Sequence, residues 1–217
     1  MNLEQARYNM IEQQIRPWEV LDATVLDLLK QVPREAFVPA QYAGLAFADI
    51  EIPLGHGQSM LSPKLEARML QSLGIRKTDK VLEVGTGSGY MTALLARLAG
   101  EVVSVELVEA LAASARASLH QQGISNVTVH VGDAAQGWAT DAPYDVIVLT
   151  GSVPELADTF RAQLKSGGRL LAIVGEAPVM EATLVTRVDD DAFRSEKLFE
   201  ICAPVLANAP VPTRFSF

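Results

Sequence analysis

The stretch Val81-Leu82-Glu83-Val84-Gly85-Thr86-Gly87-Ser88-Gly89-Tyr90 decides how the rest of the chain is read. A short strand, Val81 to Val84, runs into three glycines at alternate positions, and a helical pattern begins at Tyr90. Without Cβ atoms such a loop turns sharply and lets its backbone come close to a ligand. The N–H groups at the start of the following helix favour negative groups. The spacing narrows the choice of ligand. A dinucleotide fingerprint would put its third glycine at position 90, where Tyr90 stands, and a Walker loop would need a Gly-Lys-Ser/Thr ending that is absent.

Working outward from this loop, short apolar strands alternate with helices. A helix is predicted over Tyr90 to Ala99, a strand over Val102 to Val105, and a helix from Val108 to Gln122 that Gly123 stops. Strands follow at Val127 to Val131 and Val146 to Leu149, then a helix over Pro154 to Leu164 and a strand over Arg169 to Val174. Continuous apolar strands joined by helices imply a parallel sheet covered on both faces. Thr183 to Val188 and Lys197 to Ile201 are expected as terminal antiparallel strands turning at Asp189-Asp190-Asp191. The fold class is therefore α/β, a doubly wound, mostly parallel sheet of seven strands with a helical N-terminal segment. A single domain is expected over 1–217, with a helical substrate-side cap over 1–76 and the ligand-binding α/β core over 77–217. Within the cap, Val25, Leu28 and Leu29 suit a helix ended by Val32-Pro33. Phe47 to Pro53 is irregular or extended, and Ser62-Pro63 starts a helix with Ser62 as its cap and Gly74 as its left-handed terminator.

Composition removes several classes. Of 217 residues, 49% are hydrophobic and 20% charged, which excludes a disordered chain. The net charge of −8 argues against nucleic acid or an anionic membrane as partner, because phosphate contacts need clustered cations. No apolar run approaches the ~20 residues that span a bilayer, and Met1 to Arg16 carries charges at helical intervals, so a cytoplasmic location is expected. The lone Cys202 reads as a small buried hydrophobe, and no Cys/His cluster has metal-ligand spacing.

The Gly-x-Gly-x-Gly loop with the acid Glu83 before it resembles the first motif of class I S-adenosylmethionine-dependent methyltransferases. Glu106 ends the second strand, 17 positions beyond Gly89, where a carboxylate beside the loop accepts from both ribose hydroxyls of a nucleoside. That geometry by itself suits a nicotinamide cofactor as well. The third strand ends in Gly132-Asp133-Ala134, and the resemblance has Asp133 accept from the adenine amine; the bland reading makes it a turn residue. The cofactor-binding set so implied is Glu83, Gly85, Thr86, Gly87, Ser88, Gly89, Glu106, Leu107, Asp133, Ala134 and Thr150, with S-adenosyl-L-methionine as the cofactor.

Several further segments in the same order resemble the protein-L-isoaspartate O-methyltransferase family. They are Val32 to Pro39, Ile52-Pro53-Leu54-Gly55-His56-Gly57-Gln58, Ala142 to Thr150, and Gln163 to Leu170. The resemblance implies methyl transfer to the α-carboxylate of an isoaspartyl residue, a step in the repair of aged protein. The partner is then an isoaspartyl protein or peptide, or another carboxylate acceptor. A carboxylate is already ionised near neutral pH, so no catalytic His, Cys or metal is required. His56 is given no catalytic role, and His120 and His130 read as structural or solvated. Two departures bear on the acceptor. The family has Thr-Ile-Ser after Gly-Gln, whereas Ser59-Met60-Leu61 stands here, so Ser59 matches the threonine and Leu61 occupies the position of the family's active-site serine. The ending Ala203-Pro204-Val205-Leu206 also departs from the family's Phe-Val-Pro-Leu. A methyltransferase with another acceptor and a non-catalytic S-adenosylmethionine-binding protein are the alternative readings.

Overall fold

The computed structural model describes residues 2–211; Met1 and residues 212–217, the ends of the expected domain span, lie outside the described residues. Nine strands and six α-helices occur among the described residues. A two-stranded hairpin, β1 (Ile52–Gly55) and β2 (Gln58–Met60), precedes a seven-stranded sheet. The sheet comprises β3 (Lys80–Val84), β4 (Glu101–Glu106), β5 (Val127–Val131), β6 (Tyr144–Val153), β7 (Leu164–Glu176), β8 (Val179–Asp189) and β9 (Ala192–Glu200). Its order is β5-β4-β3-β6-β7-β8-β9. The first five run parallel, and β8 and β9 return as antiparallel hairpins.

From β3 the chain winds outward through α4 (Tyr90–Leu98) to β4 and through α5 (Glu109–Gln121) to β5, then crosses back to β6 on the other side of β3. The switch in winding direction therefore falls between β3 and β6, where doubly wound sheets open a crevice at the carboxyl ends of their strands. Because side chains alternate across a strand, neighbouring residues supply two separate cores. Val81, Val102, Val146 and Leu171 pack into one with the N-terminal helices, while Leu82, Val103, Ile147 and Leu170 pack into the other. Each such fully buried Val or Leu contributes about 1.5–3 kcal/mol.

The N-terminal segment lies over the first of these faces. Following α1 (Leu3–Met10), α2 (Ala23–Gln31) begins where Asp22 accepts from the N–H groups of Thr24 and Val25 at 2.7 and 3.2 Å. It buries Val25, Leu28 and Leu29 and stops at Val32, before Pro33, as the sequence predicts. The helix α3 (Pro63–Leu73) ends at Gly74 with φ +53°. Ser62 has the extended backbone of a cap, but its hydroxyl makes no capping bond. Its carbonyl oxygen instead accepts from the N–H groups of Leu65 and Glu66 at 3.1 and 3.2 Å.

Three other expectations are corrected. The helix expected over Pro154 to Leu164 shrinks to α6 (Asp158–Ala162), because β6 continues to Val153, where Ser152 and Val153 pair with Ile173 and Val174 of β7. The terminal hairpin is longer than expected, although its turn falls at Asp189 to Ala192. Cys202 is exposed rather than buried; its thiol lies 3.4 Å from the Pro178 carbonyl oxygen. No helix among the described residues is long and apolar enough to cross a membrane.

Candidate active site

The glycine loop follows β3, the central strand, whose Val81, Leu82 and Glu83 are fully buried. Gly85, Gly87 and Gly89 have φ of +97°, +54° and +83°, the left-handed region that side chains rarely adopt. At Gly85 a Cβ would come within 2.4 Å of the Thr150 hydroxyl oxygen. That hydroxyl lies 2.9 and 2.6 Å from the carbonyl oxygens of Val84 and Gly85, to which it donates, tying the end of β3 to β6 across the switch point. The hairpin β1–β2 closes over the loop from above. Leu54 lies 3.2 Å from where a Gly87 Cβ would stand.

Glu106, at the end of β4, is 5% exposed and turned toward the loop. One carboxylate oxygen accepts from the Gly87 N–H at 2.8 Å and the other from the Val108 N–H at 2.9 Å. Each oxygen has two lone pairs, so each keeps acceptor capacity for a ligand hydroxyl. Asp133 stands at the tip of β5, where Oδ1 accepts from the Ala135 N–H at 2.9 Å and Oδ2 from the Asn208 side-chain amide at 2.8 Å. It is thus a turn residue and a wall residue at once.

A narrow cleft, partly open to solvent, runs between the loop and the hairpin. Gly85, Thr86, Gly87, Ser88, Glu106 and Thr150 line one side, with Ser59, Leu61 and Glu66 opposite. A neighbouring recess is bounded by Leu107, Asp133 and Ala134 and shares Gln58, Gly85, Glu106 and Leu206 with the cleft. Two expected residues lie elsewhere. Gly89 faces away from the cleft, where its missing Cβ lets α4 approach Ala115 of α5; a Cβ there would be 3.1 Å from that of Ala115. Glu83 is sealed beneath the loop with 0% exposure, its Oε2 accepting from Thr92 at 2.5 Å and Ser104 at 2.6 Å. Ser104 also bonds Thr86 of the loop at 2.5 Å, so Glu83 braces the loop from below. Burial without a compensating cation pushes its carboxyl up from 4.5 to about 8, against the pull of the two hydroxyl bonds.

The sequence reading missed Gln58, Glu66 and the segment Pro204 to Ala207. This segment crosses the strand ends, held where the Ser152 N–H donates to the Pro204 carbonyl and the Leu206 N–H to the Ser152 carbonyl, both at 2.8 Å. The ending at Ala203 to Leu206 was its signal. Glu66 left none, because a helical glutamate reads as solvated until the packing is known. Of the histidines, His56 sits at the hairpin tip with φ +54°, and the His130 ring lies tilted against that of Trp138, with centroids 5.4 Å apart.

The site can be tested for S-adenosylmethionine from these contacts alone. Loop glycines admit close backbone approach, an acid with spare lone pairs stands at the end of β4, and an adjoining recess carries the acid of β5. The residues present fit that cofactor. A doubly wound sheet with this loop and these acids at its switch point defines a class I S-adenosylmethionine-dependent methyltransferase.

Comparison with known proteins narrows the class. Residues 5–205 match the family described as protein-L-isoaspartate(D-aspartate) O-methyltransferase (PCMT). The chain is 42% identical over 196 residues to protein-L-isoaspartate O-methyltransferase 1 of Rhodopseudomonas palustris (strain HaA2), covering 90% of this chain and 80% of that one. It is 46% identical over 187 residues to the protein-L-isoaspartate O-methyltransferase of Anaeromyxobacter dehalogenans (strain 2CP-C), covering 86% and 88%. Among solved structures, a protein-L-isoaspartate O-methyltransferase superposes with a TM-score of 0.77 at 27% identity, covering 92% of this chain and 65%, just under two thirds, of that one. A Plasmodium falciparum beta-aspartate methyltransferase in complex with S-adenosyl-L-homocysteine gives 0.79 at 19% identity, covering 95% and 98%, and shares the fold. The chain belongs to the protein-L-isoaspartate(D-aspartate) O-methyltransferase family and is an S-adenosylmethionine-dependent O-methyltransferase.

Proposed function

We propose that this enzyme methylates the α-carboxylate of L-isoaspartyl residues in proteins or peptides, with the cleft between the glycine loop and β2 as the place of transfer. The observation that carries the reading is that Ser59 and Leu61 face Gly87 and Glu106 across one cleft. When bound, S-adenosylmethionine supplies a methyl group already activated by its sulfonium. The chain has only to hold the two partners in line. Gly85 to Ser88 and Glu106 would hold the cofactor's amino-acid and ribose portions, and Leu107, Asp133 and Ala134 would bound its adenine. Thr150 keeps the loop in shape, and Glu83 supports it from beneath. The acceptor, ionised near neutral pH, needs no general base and is aligned by β2. Repair of aged protein is the role that the family resemblance suggests, and the net charge of −8 argues against nucleic acid as a partner.

Steady-state transfer of labelled methyl groups to matched isoaspartyl and aspartyl peptides tests the reading. Base-labile label on the isoaspartyl peptide alone is expected. Cofactor binding with no label on either peptide across the neutral pH range would overturn it.

A further inference from the structure

Glu66 is the buried acid of the cleft wall for which the chemistry above has no use. It projects from the first turn of α3, is 2% exposed, and lines the cleft beside Ser59 and Leu61. Arg34, itself 1% exposed, lies behind it in the turn Arg34–Phe37 and donates through Nη1 to Glu66 Oε2. The same guanidinium donates to the carbonyl oxygens of Leu61 at 2.6 Å and Ala46 at 3.0 Å, and lies 4.9 Å from the centroid of the Tyr90 ring. A guanidinium so far from water needs one negative charge beside it. The other titratable or charged groups facing this cluster are Tyr90 of α4, Glu83 of β3, the ion pair of Glu35 with Arg7 of α1 and, across the cleft, Glu106 of β4. Glu83 is held by two hydroxyls, Glu106 by two backbone N–H groups and Glu35 by Arg7, so above about pH 7 in the free protein Arg34 is balanced by ionised Glu66.

An acceptor carboxylate brings a second negative charge to this wall. Two carboxylates close together in a dry site do not both stay ionised; they share a proton. Leu61 has no donor to offer the newcomer. We propose that Glu66 takes up one proton as the acceptor carboxylate binds and donates it as a hydrogen bond to that carboxylate, whose charge then balances Arg34. The proposal rests on the isoaspartyl reading and names the residue that recognises the acceptor. Charge balances throughout. Before binding, Arg34 is paired with ionised Glu66; afterwards Arg34 keeps its contact with neutral Glu66, and the acceptor's charge on the cleft side of Glu66 balances it from a distance. Methyl transfer would break the S–CH3 bond of the sulfonium and form the ester O–CH3 bond, leaving a neutral thioether and a neutral ester. Glu66 then returns its proton to solvent, pairs again with Arg34 and loses its bond to the product. Burial already holds the Glu66 carboxyl up from 4.5 to about 7 against the opposing pull of Arg34, in the direction this uptake needs.

The test is a calorimetric titration of an isoaspartyl peptide into the protein saturated with S-adenosylhomocysteine, in buffers of different protonation enthalpy. About one proton taken up per peptide is expected near pH 8, with affinity falling about tenfold per pH unit above that. Glu66→Gln, whose amide donates at every pH, should bind without uptake and with a flat pH profile. The measurement on the natural protein stands alone if this variant does not fold. Binding by the natural protein without uptake and with pH-independent affinity would overturn the proposal and leave a neutral donor such as Ser59 as the acceptor's partner. Absence of peptide binding at every pH, in the natural protein and in Leu61→Ser alike, would overturn the isoaspartyl reading itself and the proton uptake with it.

Discussion

Leu61 is a single residue whose backbone and side chain have different tasks. Its carbonyl accepts from Arg34 and fixes the end of the β2 segment, while its side chain, 4% exposed, stands between the cleft that Leu61 lines and the core beneath the N-terminal helices. Leu61→Ser should keep the backbone anchor and add a hydroxyl donor to the cleft wall. One hydrogen bond to a charged group is worth about 1.5–3 kcal/mol, so isoaspartyl methylation should rise roughly tenfold to hundredfold at pH 8. The gain should shrink below about pH 7, where Glu66 is protonated without it. Lost packing should lower stability by about 2–5 kcal/mol, in the range of buried leucine truncations. Steady-state rates at two pH values and a urea melt check both parts; equal rates for the two forms at pH 8 would refute the account of Leu61. Glu106 is the second residue to test. Glu106→Ala removes the acceptor at the end of β4 and should weaken S-adenosylmethionine binding roughly tenfold to hundredfold, measured by calorimetry. Because its carboxylate also receives the Gly87 and Val108 N–H groups, part of the loss should appear as a looser loop. Amide exchange at those two positions would register it.

At the scale of elements, the turn from β3 into α4 is held by contacts that only a missing side chain permits. The Thr150 hydroxyl of β6 occupies the space a Gly85 side chain would need, and φ at that residue is +97°. Gly85→Ala therefore combines an unfavourable backbone conformation with a steric clash. A destabilisation of about 1–3 kcal/mol from the strain is expected, together with loss of cofactor binding as the loop shifts. Urea unfolding with and without S-adenosylhomocysteine should show a lower midpoint and little or no stabilisation by the ligand. An unchanged midpoint would mean that β6 and the loop are not locked together. The hairpin β1–β2 and the segment Pro204 to Ala207 are the other elements of the site, and both reach it from outside the α/β winding. One comes from the N-terminal segment and the other returns after β9, so the cleft is walled by residues far apart in the chain.

For the whole molecule, two buried acids shape the pH dependence of stability. Glu83 and Glu66 are both raised by burial, from 4.5 to about 8 and about 7. A carboxyl raised on folding contributes stability that is present in full below its unfolded value and lost as pH climbs through its folded value. Asp145 has the opposite sign: although burial raises it, the larger combined pull of Lys165 and the Lys80 N–H holds it below 3.8, so its contribution is lost only on acidification below that. Stability should therefore decline steadily from about pH 5 to about pH 8. Glu83→Gln, which keeps a hydrogen-bonding group under the loop, should flatten much of this decline. Thermal melts across that range decide it, and a curve that rises from pH 5 to pH 8 would show that these acids ionise freely.

Local pattern carried much of this protein into view. The alternation of apolar strands with helices, the glycine spacing before Tyr90 and the acids at the ends of β4 and β5 are short-range features, because a strand and the turn after it are specified by adjacent residues. The sheet and its cofactor edge could therefore be read from the chain alone, and the order of the segments from Val32 to Leu170 pointed to the family. Tertiary structure decided what depends on contacts between distant residues. It turned Glu83 from a ligand-facing acid into a buried brace and set Gly89 against α5. It shortened α6 by extending β6 along β7, and exposed Cys202. It also joined Arg34, Leu61 and Glu66 into one wall of the cleft. Burial and charge pairing are properties of the packed whole, since they follow from which side chains exclude water from one another, and no window of sequence contains that information.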